Sequence, residues 1–271
     1  MHLEMGNGCS IGIAGVHLRG AVEPGIALGT AIRRILGKDV RCVALCTYPV
    51  SPALGLPDIF DSVHLLPEAA EGNASFLSAV DDVVKRTGLD FIVPGLDADV
   101  IQIASVVEEL AERGITALVP KLKDIQAATK TKLCGKESVV PFPLAHSKTI
   151  TYIADLSAIQ YPVVLKGPVT DSYVVTDANE AAVALERIEN IWGMPAVCQE
   201  FLAGDEFSIC AIAGPNPGIV AGAVTLKKMG VTEKGNTWLA QFIENEELVE
   251  IAHKVVKHLN WRGPIEIELR Q

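Results

Sequence analysis

The sequence predicts a two-lobed protein, in which a parallel α/β lobe is followed by an α+β lobe with antiparallel strands. Over residues 1–120, short apolar runs alternate with segments of helical spacing. This order is typical of a parallel sheet that is covered by helices on both faces. After residue 120, apolar runs follow one another through hairpin-type connections, which favours antiparallel strands. A chain of 271 residues is long enough for two compact domains.

In the first lobe, apolar runs of strand length take turns with helical patterns. The predicted strands are residues 11–15, 40–46, 62–66, 91–94 and 116–119. The predicted helices are residues 26–36, 76–84 and 97–113. A glycine follows each helical pattern, at Gly37, Gly88 and Gly114, as is typical of helix ends.

In the second lobe, the helical and extended patterns no longer alternate strictly. A basic helical segment over residues 124–133 contains Lys130, and a strand over residues 161–166 ends in Lys166. Asp177 and Asn245 are placed to cap two further helices. The remaining strands are predicted over residues 197–201, 207–213, 219–226 and 263–269.

The composition argues against several classes of protein. Acidic residues outnumber basic ones by 33 to 23, for a net charge of −10, and only 5% of residues are aromatic. An extended surface for nucleic acid is therefore not expected. No apolar run reaches the roughly 18 residues that a membrane-spanning helix needs. Residues 1–10 lack the basic-then-apolar layout of a signal peptide, so we expect a cytoplasmic protein without membrane or nucleic-acid partners.

Two features of the first lobe have a functional and a structural interpretation. The Gly12-x-x-Gly15 turn lacks the spacing of a dinucleotide fingerprint, so a tight turn after the first strand is favoured. An NAD-dependent oxidoreductase nevertheless remains an alternative. Asp97 follows a strand end and either caps the next helix or contacts a substrate.

Three features of the second lobe suit a nucleoside triphosphate. Lys166 at a strand end can hold a phosphate as a point charge, although solvated strand ends also carry lysine. Residues 199–206 lead from an apolar strand into an extended hinge, which can present one backbone carbonyl and one N–H to adenine. Glu206, just beyond this hinge, could accept the ribose hydroxyls. The structural alternative is a hairpin with acidic turn residues.

Glu266 and Glu268 lie two residues apart on the last predicted strand, so their side chains lie on one face of the sheet. Two carboxylates on one face repel each other unless a cation or water lies between them. Mg²⁺ prefers carboxylate oxygens that it shares with substrate phosphates. The alternative is the polar, solvent-facing side of an edge strand.

The order of these parts resembles that of the ATP-grasp superfamily. Residues 261–268 and 94–99 are most similar to its carbamoyl-phosphate-synthase-like members. The resemblance implies a Rossmann-like pre-ATP-grasp domain over residues 1–120. It implies a first ATP-grasp subdomain with a connecting helix over residues 121–196, and a second subdomain over residues 197–271 that is incomplete at its end.

The resemblance also implies roles for individual residues. Lys130 and Lys166 would contact the ATP phosphates, with Lys166 also near adenine, and Lys227 or Lys228 would lie near the terminal phosphates. Glu206 would bind ribose, and Glu268 would be a Mg²⁺ ligand, with Glu266 as the second. The adenine hinge would consist of Gln199, Glu200, Phe201 and Leu202.

The implied activity is that of a ligase that forms ADP and joins a small-molecule carboxylate to an amine through an acyl phosphate. ATP and Mg²⁺ are the implied cofactors, and a homodimer is expected as for many members. Two departures favour a second hypothesis, an ATP-binding module that is non-catalytic or incomplete. Residues 167–172 contain a single glycine where a glycine-rich loop is usual, and the Glu-x-Asn-Pro-Arg element that would follow Glu268 would lie beyond Gln271.

Overall fold

The computed structural model describes residues 8–16, 24–136, 140–168, 171–232 and 237–271. The chain forms two compact units, Met1–Leu122 and Lys123–Gln271. Within the described residues, every helix is too short or too polar to cross a bilayer. The further division of the second unit into residues 121–196 and 197–271 stays a prediction.

The first unit is built on a five-stranded parallel sheet, as the sequence predicts. Its strands follow the spatial order β3-β2-β1-β4-β5, and every neighbouring pair is parallel. The strands are β1 (Ser10–Ile13), β2 (Arg41–Cys46), β3 (Ser62–Leu65), β4 (Phe91–Val93) and β5 (Thr116–Ala117). In β2, all residues after Arg41 are buried, which is the burial expected of a central strand covered on both faces.

The helices of the first unit agree with the predicted order, with one difference. They are α1 (Pro24–Leu36), α2 (Asn73–Thr87), α3 (Asp97–Ala104) and α4 (Val107–Glu112). The sequence predicts one helix over residues 97–113, whereas the structure has a break at Ser105 and Val106. The Ser105 hydroxyl donates to the Gln102 carbonyl at 2.7 Å, and the Val106 side chain is fully buried. The break therefore satisfies a helix-end carbonyl and buries an apolar side chain.

The second unit contains two four-stranded sheets in which all neighbours are antiparallel. The spatial orders are β6-β9-β7-β8 and β12-β11-β10-β13. The strands of the first are β6 (Ser147–Ile150), β7 (Val163–Lys166), β8 (Ser172–Val175) and β9 (Ala196–Glu200). Those of the second are β10 (Glu206–Ala213), β11 (Val220–Val231), β12 (Thr237–Ile243) and β13 (Gly263–Arg270). The sequence patterns did not predict β6, β8 or β12.

Each of these two sheets is covered on one face by one long helix. Helix α7 (Ala178–Trp192) packs Leu185 and Ile188 on the sheet that contains β7 and β9. Helix α8 (Glu246–His258) packs Leu248 and Ala252 on the sheet that contains β10 and β13. As predicted, Asp177 and Asn245 cap these helices, because their side chains accept hydrogen bonds from N–H groups of the first turn. The helix predicted over residues 124–133 is instead two short helices, α5 (Leu122–Ala127) and α6 (Lys130–Leu133).

Candidate functional site

Lys166 is the centre of a cluster of charged side chains in the second unit. It ends β7, where Leu165 is fully buried in the core and Lys166 lies half-buried on the opposite face. Burial lowers the pKa of Lys166, and the charges of Lys130 and Arg270 lower it further, while Glu268 and Glu206 oppose this shift. Four of the residues selected from sequence therefore interact within one cluster.

The carboxylates of this cluster belong to one face of the second antiparallel sheet. Directly opposed residues in an antiparallel ladder share a face, and Glu206 is opposite Arg270 while Ser208 is opposite Glu268. The other face, which includes Ile209, packs against α8. The alternation along β13 thus places its acidic side chains on the face that the helix leaves uncovered.

Glu266 and Glu268 share this face, as predicted, and each already has a protein partner. The Ser208 hydroxyl donates to Glu266 Oε1 at 2.7 Å. The Lys228 ammonium forms an ion pair with Glu268, and the Lys228 side chain is only 4% exposed whereas that of Glu268 is 59% exposed. Lys228 therefore partly neutralises the carboxylate that the sequence assigns to Mg²⁺.

The two carboxylates fit one kind of magnesium site. Among the residues that the structure describes, no group of three or more His, Cys, Asp or Glu side chains could hold a metal ion. Mg²⁺ commonly binds one or two carboxylates together with water and substrate phosphates. Glu268 and Glu266 supply hard oxygen ligands for such a shared ion.

The structure separates the two adjacent lysines of β11. Lys227 is opposite Phe207 in the ladder, so it lies on the face that packs against α8, and it forms an ion pair with Asp205. Lys228, one residue later, lies on the face of Glu268. The charged cluster around Lys166 therefore includes Lys228, whereas Lys227 lies on the opposite face of its strand.

The hinge predicted for adenine is the connection from β9 to β10. Gln199 is held in the ladder of β9 opposite Ser147 and Val164. The Glu200 N–H donates to the His146 carbonyl at 2.9 Å, and Glu200 Oε1 accepts from the His146 N–H at 2.6 Å. Both contacts fix the start of the hinge, and Asp205 at its end exchanges backbone hydrogen bonds with Gln271 at 2.9 and 3.1 Å. The backbone of residues 201–204 is therefore the part that can present groups to a purine.

Arg270 joins the end of this hinge to Glu206, a role that sequence reasoning missed. Its Nη1 donates to the Leu202 carbonyl at 3.0 Å, and its guanidinium carbon lies 5.4 Å from the centroid of the Phe201 ring. Its Nη2 forms an ion pair with Glu206. The available signal was the period of two along β13, because Arg270 follows Glu268 on the same face.

Lys166 is opposite Ser172 in the antiparallel ladder of β7 and β8. The Gly167 N–H donates to the Asp171 carbonyl at 3.0 Å. Asp171 is 2% exposed, has a φ of 67°, and accepts a hydrogen bond from the Trp192 ring N–H at 2.8 Å. Asp171 thus anchors one end of the loop predicted to lie over the phosphates to α7, while residues 169–170 lie outside the described residues.

In the first unit, the Gly12-x-x-Gly15 segment contains the end of β1 and a close backbone contact. Gly15 has a φ of 70°, and a Cβ atom there would lie 2.9 Å from the Gly95 Cα. Asp99 Oδ2 accepts the N–H groups of Gly95 at 3.1 Å and Leu96 at 2.9 Å. Asp99, rather than Asp97, therefore holds the turn into α3, and residues 17–23 lie outside the described residues.

Comparison of the sequence with known proteins gives no match. No protein-family model matches the chain, and no curated protein matches it. The evidence from known proteins therefore comes from three-dimensional structure.

Solved structures with the same fold are found over nearly the whole chain. An L-amino acid ligase from Bacillus licheniformis has 17% identity and a TM-score of 0.71, over 98% of this chain and 64% of that chain. N5-carboxyaminoimidazole synthetase from Staphylococcus aureus has 12% identity and a TM-score of 0.68, over 98% and 67%. The biotin carboxylase domain of 2-oxoglutarate carboxylase from Hydrogenobacter thermophilus, a dimer in complex with MgADP, ADP and bicarbonate, has 12% identity and a TM-score of 0.67, over 96% and 60%.

These likenesses confirm the fold expected from the sequence, a parallel α/β part followed by an α+β part with antiparallel sheets. The chain spans between 60% and 67% of the length of the three structures named above. At such low identity, the likeness establishes architecture, and activity has to be argued from the residues of the site.

Proposed function

We propose that this chain binds ATP on the uncovered sheet face of its second unit and uses it to join a carboxylate to an amine. The observation that carries the proposal is the cluster around Lys166. Three cationic side chains, Lys166, Lys130 and Arg270, interact there with the carboxylates of Glu206 and Glu268. A nucleoside triphosphate carries an anionic phosphate chain, which the cationic side chains can bind. It also carries two ribose hydroxyls, which can donate hydrogen bonds to a carboxylate.

Lys130 and Lys166 would bind the phosphates. Because the charge of Lys130 lowers the pKa of Lys166, an anion that binds both ammonium groups is favourable. Lys228 would take the position near the terminal phosphates, since it lies on the face of Glu268, whereas Lys227 lies on the other face. The catalytic assignment proposed from sequence thus moves from Lys227 to Lys228.

The nucleoside would bind between the hinge and Glu206. Backbone groups of residues 201–204 would face adenine, with Gln199 and Glu200 fixing the start of this segment. The Glu206 carboxylate, whose side chain is 27% exposed, would accept the ribose hydroxyls. Glu268, with Glu266 beside it, would hold Mg²⁺, which when bound neutralises charge on the phosphates.

The proposed reaction has two steps. A substrate carboxylate oxygen forms a bond to the γ-phosphorus while the bond from that phosphorus to the bridging oxygen breaks, which gives an acyl phosphate and ADP. The amine nitrogen then attacks the acyl carbon, inorganic phosphate leaves, and the amine loses a proton. The lysines position the phosphates and offset the developing charge. The fold that the chain shares with an L-amino acid ligase supports this reaction class.

A second candidate is an ATP-binding module without catalysis. The observation that favours it is that the described residues contain no group of three or more His, Cys, Asp or Glu side chains that could hold a metal ion. The homodimer and the cytoplasmic location stay predictions.

The test combines nucleotide binding with turnover. Isothermal titration with ATP and Mg²⁺ should show binding that Lys166→Ala weakens strongly. Lys254→Ala, which removes a lysine paired only loosely with Glu250 on the outer side of α8, should bind like the parent. Equal affinity of the parent and Lys166→Ala would contradict the proposal.

Turnover and a second ligand separate the alternatives. ADP formation in the presence of mixed amino acids supports the ligase, whereas binding without ADP formation supports the non-catalytic module. A thermal shift with NADH and none with ATP would instead favour the oxidoreductase.

A further inference from the structure

One guanidinium binds both groups that the proposed function assigns to the nucleoside. Arg270 donates to the Leu202 carbonyl of the hinge at 3.0 Å and forms an ion pair with the Glu206 carboxylate. Its guanidinium also lies over the Phe201 ring, with 5.4 Å from Cζ to the ring centroid. The nucleoside pocket thus contains a cation of the protein itself.

The placement of Arg270 follows from the ladder. Arg270 is directly opposite Glu206, and cross-strand pairs of opposite charge stabilise antiparallel sheets modestly. The contacts to Leu202 and Phe201 lie outside that ladder, in the connection between β9 and β10. A cross-strand ion pair alone does not require these additional contacts, which tie the hinge to the same guanidinium.

The ion pair competes with the ribose. When a carboxylate accepts a hydrogen bond from a guanidinium, fewer of its lone pairs are free to accept from the two ribose hydroxyls. The side chains of Arg270 and Glu206 are 30% and 27% exposed, so the pair is within reach of solvent, and salt weakens it. Because the ion pair occupies Oε1 of Glu206, a ribose that uses both carboxylate oxygens has to displace the guanidinium from that oxygen.

We infer that Arg270 is a specificity-determining positioning residue, which limits the use of Glu206 by the ribose and thereby sets how strongly the site prefers ribonucleosides. This inference rests on the proposed ATP site. When a ribonucleoside binds, Glu206 exchanges the guanidinium for the sugar hydroxyls, while Arg270 keeps its contacts to the hinge. The residue acts through Glu206 and the hinge and takes no part in the reaction.

Adenosine is the appropriate probe because it has no phosphates and no charge. Its affinity for the parent protein should rise with ionic strength, because salt weakens the Arg270–Glu206 pair that ribose must displace. Arg270→Met should bind adenosine roughly two- to fivefold more tightly at low salt, which matches the small strength of a partly exposed ion pair. In this variant the salt dependence should disappear.

The comparison with 2′-deoxyadenosine identifies the group that Arg270 controls. Arg270→Met should increase the preference for adenosine over 2′-deoxyadenosine. In a Glu206→Gln background, Arg270→Met should leave the ratio of the adenosine and 2′-deoxyadenosine affinities unchanged, because the ion pair is already absent and the contacts to Leu202 and Phe201 affect both nucleosides alike. Arg270→Gln serves as the second variant if Arg270→Met does not fold by circular dichroism and thermal unfolding.

The outcomes separate this inference from the proposed function. If the parent binds ADP but Arg270→Met and Arg270→Gln bind adenosine equally or more weakly, Arg270 supports the pocket and the inference is wrong. The inference is equally wrong if the salt dependence of adenosine binding survives in both variants. If the parent binds neither ADP nor adenosine, the proposed function fails and the inference fails with it.

Discussion

Replacing Lys166 by Met should change stability and nucleotide affinity in opposite directions. Methionine keeps a long unbranched side chain and removes the charge. In the folded protein, burial and the neighbouring Lys130 lower the pKa of Lys166, so the charged form is less favourable there than in the unfolded chain. We therefore expect Lys166→Met to raise the free energy of unfolding at neutral pH.

The nucleotide affinity should fall in the same variant. A hydrogen bond that involves a charged group contributes about 1.5–3 kcal/mol. Loss of one such contact to phosphate corresponds to roughly 10- to 150-fold weaker binding of ATP. Replacing a lysine with a purely structural role would not combine a gain in stability with a loss of ATP affinity of this size.

The pH dependence of stability gives the sign of the electrostatic effect. Between the lowered pKa of Lys166 in the folded state and about 10.4 in the unfolded state, the unfolded chain binds more protons. The stability of the parent therefore rises with pH across this window. The advantage of Lys166→Met should be full below the folded pKa and should vanish above the unfolded pKa.

Urea unfolding at several pH values and isothermal titration with ATP measure both effects. Lys254→Ala is the control for general loss of a lysine on this unit. A variant that is less stable than the parent at neutral pH and binds ATP with unchanged affinity would refute the electrostatic reasoning and the site together.

Three further predictions concern the fold. Leu165→Ala should lower the free energy of unfolding by about 2–5 kcal/mol in urea titrations, because the side chain is fully buried; a loss below about 1 kcal/mol would contradict that packing. Gly25→Ala should lower the thermal midpoint although alanine favours helices, because the added Cβ would lie 2.3 Å from the Ala14 carbonyl oxygen; an increase would show that α1 can shift. The hydrogen bond from Arg113 lowers the pKa of Asp81 in the folded protein. The ionised Asp81 therefore stabilises the fold above the unfolded pKa of about 3.9, and this stabilisation is lost as pH falls through the folded pKa. Asp81→Asn should therefore be less stable than the parent at pH 7 and equal to it at the acid end of an unfolding series.

Local patterns predicted the order of the elements and the chemistry of several faces. The alternation of Ile265 and Ile267 with Glu266 and Glu268 predicted one apolar and one acidic face for β13. The structure has this arrangement, since the two isoleucines pack with α8. The parallel first sheet was likewise predictable, because buried parallel strands are continuous apolar runs.

Other features depend on contacts between segments that lie far apart in the chain. The β10–β11 register decides that Lys228, and not Lys227, shares a face with Glu268. From the sequence alone, either lysine could lie on the face of Glu268. Adjacent strand residues lie on opposite faces, and a shift of the register by one residue would exchange them. The same holds for Arg270, whose partner Glu206 is 64 residues away.

The sequence by itself determined the two kinds of sheet and the residue types of the proposed nucleotide site, because periodicity and side-chain chemistry are properties of short segments. Only the tertiary structure decided which charges meet. It brought Lys130 and Lys166 to Glu206 and Glu268, and it placed a guanidinium on the carboxylate proposed for ribose. Such pairings are set by strand register and by packing across the second unit, and neither quantity is encoded in any single segment.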